Sequence, residues 1–166
     1  MSKTNRKLID HFIEQLSEIL NGKLWMGDSF EQKLNSINAG EAFQKPGPTI
    51  HSVAEILAHL TAWNDDLVLK IRYGKGKLQD SDPQNWPGNE TLRLSGWDQV
   101  RGKYVESVRN VISLLGDKDD SFFAEKYTDQ DFNEEYPYAI ALDGMLHHQL
   151  YHLGQIGIII KIIKIK

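Results

Sequence analysis

Apolar residues recur at helical spacing in four long stretches of the chain. In the first, Thr4 to Asn21, residues Leu8, Ile9, Phe12, Ile13, Leu16, Ile19 and Leu20 share one stripe, and Gly22 is placed to end the helix. A second stripe, Ile56, Leu57, Leu60, Trp63, Leu67 and Ile71, follows Ser52-Val53-Ala54-Glu55 and is closed by Gly74 and Gly76. That tetrapeptide has the form of a capping box: the serine accepts an orphan backbone N–H and the glutamate reaches back. Ser95 is placed to cap a third helix, with Asp98 in its first turn and Gly116 at its end. Its stripe is Trp97, Val100, Tyr104, Val108, Val111, Ile112 and Leu115. The fourth starts near Tyr138 and carries Ile140, Ala141, Met145, Ile156 and Ile159. No strand run competes with these four, so the pattern predicts an all-α four-helix bundle.

The connections are less regular. Lys23 to Thr49 is a long link between helices 1 and 2. Within it Ser29-Phe30-Glu31-Gln32 predicts a short capped helix through Ile37, and Gly40, Pro46, Gly47 and Pro48 break the chain. Trp25 and Met26 are expected to pack this link onto the bundle. Lys77 to Leu94 is polar and predicts no regular structure. Asp117 to Pro137 holds eight carboxylates against two lysines and reads as a solvated connection. Its Asp129-Gln130-Asp131 lacks the spacing of an EF-hand loop.

The end of the fourth helix is apolar nearly all round: Ile156, Ile158, Ile159, Ile160, Ile162 and Ile163. Such a segment needs cover on more than one side, from the monomer or from a second subunit. Lysines 161, 164 and 166 suit a helix C-terminus. Gly154 and Gly157 weaken a helix, which predicts that each admits a close neighbour.

Composition narrows the function. The length of 166 residues suits one domain, residues 1–166. A net charge of −4 leaves no basic footprint for nucleic acid. There is no cysteine, so no disulfide, thiolate ligand or cysteine nucleophile is available. No signal-peptide core opens the sequence, and no apolar run reaches the roughly 18 residues of a membrane span. A cytoplasmic protein without a membrane or nucleic-acid partner is the expectation.

The candidate chemistry lies in the histidines. His148 and His152 are four apart, which puts two imidazoles on one helix face about 6 Å apart along the axis. They lie on the stripe of Ile156 and Ile159. His59 lies inside the second stripe and faces the same interior. Three neutral imidazoles from two helices would leave open positions on a divalent metal, the pattern of a catalytic site. Imidazole suits zinc, nickel, iron or copper. The competing reading of each is a hydrogen-bonded core histidine. His147 is off the stripe and suits a supporting or surface role. His11 and His51 read as surface and turn residues. Gln155, one turn past His152, could bond a metal-held water or cap a neighbouring carbonyl. No general base is legible: Glu55 is used by the cap and Asp65 is off the face of His59.

The run His148-Gln-Leu-Tyr-His152-Leu-Gly-Gln155-Ile156, after Ala58-His59-Leu-Thr-Ala-Trp63, resembles the DinB-like (YfiT-like) superfamily over nearly the whole chain. The resemblance implies a four-helix bundle with a long connection between helices 1 and 2. It also implies a divalent metal on His59, His148 and His152, zinc or nickel foremost and iron as an alternative. It implies dimers, and a function that varies among metal-dependent thiol S-transferases, an isomerase and members without an assigned reaction. Transferase chemistry would draw its nucleophile from a low-molecular-weight thiol whose pKa the metal lowers. Hydrolase or isomerase chemistry on a small molecule are variants, with Trp63, Tyr151, Gln155 and His147 about the pocket. The alternative is a non-catalytic, stress-associated bundle that binds a metal or ligand, or serves as a structural dimer.

Overall fold

The computed structural model describes residues 5–165. Thr4 and Lys166, given to the first helix and the last, lie outside them. Ten elements follow in order: α1 (Lys7–Asn21), α2 (Phe30–Asn35), α3 (Ala39–Ala42), α4 (Val53–Tyr73), α5 (Asn89–Ser95), α6 (Trp97–Leu115), a 3-10 turn (Asp120–Ala124), β1 (Lys126–Thr128), β2 (Glu135–Pro137) and α7 (Tyr138–Ile165). The long helices α1, α4, α6 and α7 form the bundle.

Their boundaries follow from local chemistry. The Ser52–Glu55 capping box forms, and Gly74 ends α4 in the left-handed region at φ 70°. Burial of α4 fits its stripe: Ile56, Leu57, Leu60, Leu67 and Ile71 are all buried. In α1 and α7 the stripes run slightly wide, because Leu8 and Ile140 are exposed.

Two apolar clusters divide the interior. One joins the end of α1, the start of α4, the start of α6 and the end of α7, with α2 packed on it. The other joins the start of α1, the end of α4, the end of α6 and the start of α7, with the 3-10 turn. So α4 and α6 run parallel, and α1 and α7 run against them. A parallel pair needs a crossover, and residues 74–96 supply it. That crossover passes over the first half of α4, where His59 lies.

The structure corrects the reading of the connections. Trp25 and Met26 are exposed at a tight turn closed by a Leu24–Gly27 bridge, so they do not pack onto the bundle. The helix from Phe30 ends at Asn35, short of Ile37. Gly40 lies inside α3, because Asn38 and Glu41 form a capping box that starts a turn around it. Residues Asn89–Ser95 are helical, so Ser95 ends α5 rather than capping α6. The joint is Gly96 at φ 82°, a conformation that glycine takes without strain.

The acidic link is not merely solvated. Its β1 and β2 pair antiparallel, Phe122 and Tyr127 are buried, and Asp129 reaches Lys70 of α4 at 3.1 Å. Gly157 admits the Lys33 side chain, whose Nζ would lie 3.2 Å from an added Cβ. Gly154 has no such neighbour and faces open space. No helix among the described residues is long and apolar enough to cross a membrane.

Candidate metal centre

His59 on α4 meets His148 and His152 on α7. The Nε2 atoms of His59 and His148 are 2.9 Å apart, and so are those of His148 and His152. His59 and His152 are buried and His148 is half-buried. These three are the group of potential ligands that the described residues bring together.

The outer ring nitrogens of His59 and His152 have a part in this. His59 Nδ1 is 3.0 Å from the Asn85 carbonyl oxygen and 2.7 Å from Asn85 Oδ1. His152 Nδ1 is 2.7 Å from Gln155 Oε1. These oxygens only accept, so both Nδ1 atoms carry the proton and both Nε2 atoms are bare lone pairs. Two lone pairs thus face His148 Nε2 from either side. One proton on that atom can satisfy only one of them.

Protonating the rings is disfavoured. Burial first, then the charges of His152 and His59, bring the His148 pKa down to about 4. Burial also brings His152 to about 4 against the opposing Gln155 bond, with His59 and His51 adding to the fall. His59 is lowered mainly by burial, although its bonds to Asn85 oppose this. At neutral pH the cluster is three neutral imidazoles whose nitrogens converge. Two nitrogens at about 2.0–2.1 Å from one metal are at most about 4 Å apart, and both 2.9 Å separations meet that limit. All three ligand atoms lie within 4.8 Å of one another, so a small ring movement brings the His59–His152 separation within the same limit, and the residues fit a divalent metal.

The crossover builds one wall of the site. Trp86 stacks on His59 with ring centres 3.7 Å apart, and His51 stacks on its other face at 4.0 Å. His51 is therefore a turn residue that braces the wall, and its Nδ1 is 3.5 Å from Glu55. Asn85 Oδ1 also accepts from Trp63 Nε1 at 2.8 Å. A cavity of about 380 Å³ opens beside the histidines. His59, His148, Trp63 and Asn64 are among the residues that line it, with Lys70, Tyr127 and Asp80 as further polar groups. Burial alone would lower the Lys70 pKa, but Asp66 and Asp129 outweigh it and hold the ammonium charged.

Trp63 thus lines the cavity. Tyr151 is exposed and meets His152 edge-on at 4.9 Å. His147 is exposed. Gln155 accepts from His152 Nδ1 and so orients that ring. Asp65 is exposed on another side of α4, and Glu55 is buried in its cap. Asn85, Trp86, Lys70 and Tyr127 escaped the sequence reading. Only the crossover's position over α4 brings the first two to His59, and no periodicity marks it.

With its site described, the chain can be placed among known proteins. Residues 25–156 match the model of the DinB superfamily, and the chain belongs to that superfamily. Its fold is similar to that of YjoA, a DinB-like protein of Bacillus subtilis (TM-score 0.61, 12% identity, 94% of this chain and 90% of the other). It is also similar to YfiT of the same organism, described as a probable metal-dependent hydrolase with an unusual four-helix bundle topology (0.59, 12%, 94% and 89%). A third likeness is to a mycothiol-dependent maleylpyruvate isomerase (0.61, 11%, 90% and 58%). No curated protein matches the chain.

Proposed function

We propose that the chain is a divalent-metal enzyme that uses His59, His148 and His152 as ligands and transfers a low-molecular-weight thiol to a small electrophile. The observation that carries this reading is the convergence of three neutral imidazoles beside an open cavity of about 380 Å³. A bound metal supplies Lewis acidity that lowers the pKa of a thiol or water. Zinc or nickel is the metal of first choice, with iron as the alternative.

The residues of the chain do the rest. Asn85 and Gln155 hold the proton on the outer nitrogens of His59 and His152, which keeps the inner nitrogens available. Trp86 covers a face of His59 and keeps water from it. Lys70 and Asp80 are the charged groups that face the cavity, so they are placed to orient a polar substrate. The likeness to a probable metal-dependent hydrolase supports metal chemistry in this fold, and the likeness to a mycothiol-dependent isomerase supports thiol chemistry.

The test is a screen of low-molecular-weight thiols against electrophilic acceptors with metal-loaded protein. Thiol-dependent turnover that disappears in His59→Ala is the expected result. Hydrolysis that needs no thiol would replace transfer by hydrolase chemistry. Absence of any turnover would favour a non-catalytic metal-binding bundle.

A further inference from the structure

Behind the histidines lies a chain of buried polar groups that the metal chemistry does not use. Gln149 follows His148 in sequence and points the other way, into the bundle. Its Oε1 accepts from Tyr104 OH of α6 at 2.8 Å, and its Nε2 donates to Asn64 Oδ1 of α4 at 2.8 Å. Asn64 Nδ2 donates to Ser107 Oγ of α6 at 3.0 Å, and Ser107 Oγ donates to the Tyr104 carbonyl at 2.8 Å. The ring thus closes through α4, α6 and α7. All four residues are 2% exposed or less. No side-chain nitrogen or oxygen of the ring is left without a partner.

Such a ring stands in a place where apolar packing gives little direction. Helix α7 is apolar on several sides, with Leu142, Met145, Leu153, Ile156, Ile159 and Ile160 all buried. Burial is non-directional, so a helix of this kind turned by one residue still buries much apolar surface. A turn of one residue is about 100°, which would carry both ligands of α7 away from His59. Hydrogen bonds are directional and are costly to leave unmade in a core. The ring spans the same two helices as the ligands: Asn64 is five residues after His59, and Gln149 lies between His148 and His152.

We infer that Gln149, Asn64, Tyr104 and Ser107 are positioning residues that fix the rotation of α7 against α4, so that His148 and His152 meet His59. The role resembles that of a single buried polar residue that sets register in a coiled coil at some cost in stability. The inference rests on the metal reading for its consequence, but its structural content does not depend on a metal.

Two variants and one redesigned core test it. Gln149→Leu removes both bonds that tie α7 to α4 and to α6. Tyr104→Phe removes one hydroxyl and keeps the ring that packs on Phe30. The redesigned core, Asn64→Leu with Ser107→Ala, Tyr104→Phe and Gln149→Leu, replaces every member by an apolar group. Cobalt(II) affinity is measured by competition with a chromophoric chelator, beside the Tm of each apoprotein. Gln149→Leu is expected to lower affinity about tenfold or more, and Tyr104→Phe to do so by a smaller factor. The redesigned core is expected to regain Tm while affinity stays low and the cobalt spectrum stays altered. Affinity that returns together with Tm would overturn the inference and leave the ring a stability feature only. A crystal structure of apo Gln149→Leu gives the metal-free reading. His148 Nε2 is expected to move more than 1 Å from its place beside His59, and an unmoved His148 overturns the inference whether or not the parent protein binds cobalt. Failure of the metal reading shows separately, as a parent protein that takes up no cobalt.

Discussion

At the scale of single residues, the site works through the outer nitrogens as much as the inner ones. Asn85 accepts the His59 Nδ1 proton twice, through its carbonyl and its side chain. Truncating it to alanine removes the side-chain acceptor and the anchor of Trp63. Asn85→Ala is expected to weaken metal affinity by about 10–100-fold, measured by chelator competition, with the far-UV spectrum retained. The histidines also set a pH dependence in the apoprotein. Their ordinary value is 6.5, and in the fold His148 and His152 titrate near 4. Between these values the unfolded chain binds more protons, so stability is full above about pH 6.5 and falls as pH drops towards about 4. Allowing for solvent at half-buried His148, the loss is about 2–4 kcal/mol in all. Urea titrations of the apoprotein at pH 7 and pH 4.5 measure it, and equal midpoints would contradict the burial of these rings.

At the scale of elements, the helices that carry ligands were legible because their signals are local. Ser52 and Glu55 mark the start of α4 within four residues, and the stripe after them turns His59 inward. His148 and His152 read as a pair from their spacing alone. The crossover did not read this way. Trp86 and Asn85 lie 27 and 26 residues from His59 in sequence and reach it only because α4 and α6 run parallel. Asp129 looked like one more solvated carboxylate until the hairpin brought it to buried Lys70. For Gly154 the sequence offers propensity alone, and propensity does not say where the neighbouring helix is. The cap of α4 is also more than a helix signal, since Ser52 Oγ donates to Asn89 Oδ1 at 2.7 Å and Glu55 Oε1 accepts from the Asn89 N–H at 3.2 Å. Ser52→Ala is therefore expected to cost about 1–2 kcal/mol, read from urea unfolding. A cost near zero would mean that Asn89 and Glu55 hold the helix start without the serine.

At the scale of the molecule, α7 has an outer seam that the bundle does not cover. Ile140, Tyr151, Ile158 and Ile165 are exposed, and Gly144 and Gly154 between them face open space. Their positions recur at steps of three, four and seven residues, so they share one face of the helix. A second copy packed along this seam is our proposal for its cover, and it would place Tyr151 next to the metal cluster inside the interface. Light scattering is expected to give a dimer, and Ile158→Glu a monomer with unchanged helicity. A parent protein that is monomeric at all concentrations would refute this.

The central claim is that three helix-borne histidines hold one divalent metal. Elemental analysis of protein loaded at neutral pH and freed of loose ions tests it most directly. The account predicts close to one zinc or nickel per chain for the parent protein and close to none for His59→Ala. A parent protein that retains no stoichiometric metal, or a His59→Ala variant that retains as much as the parent, would contradict it.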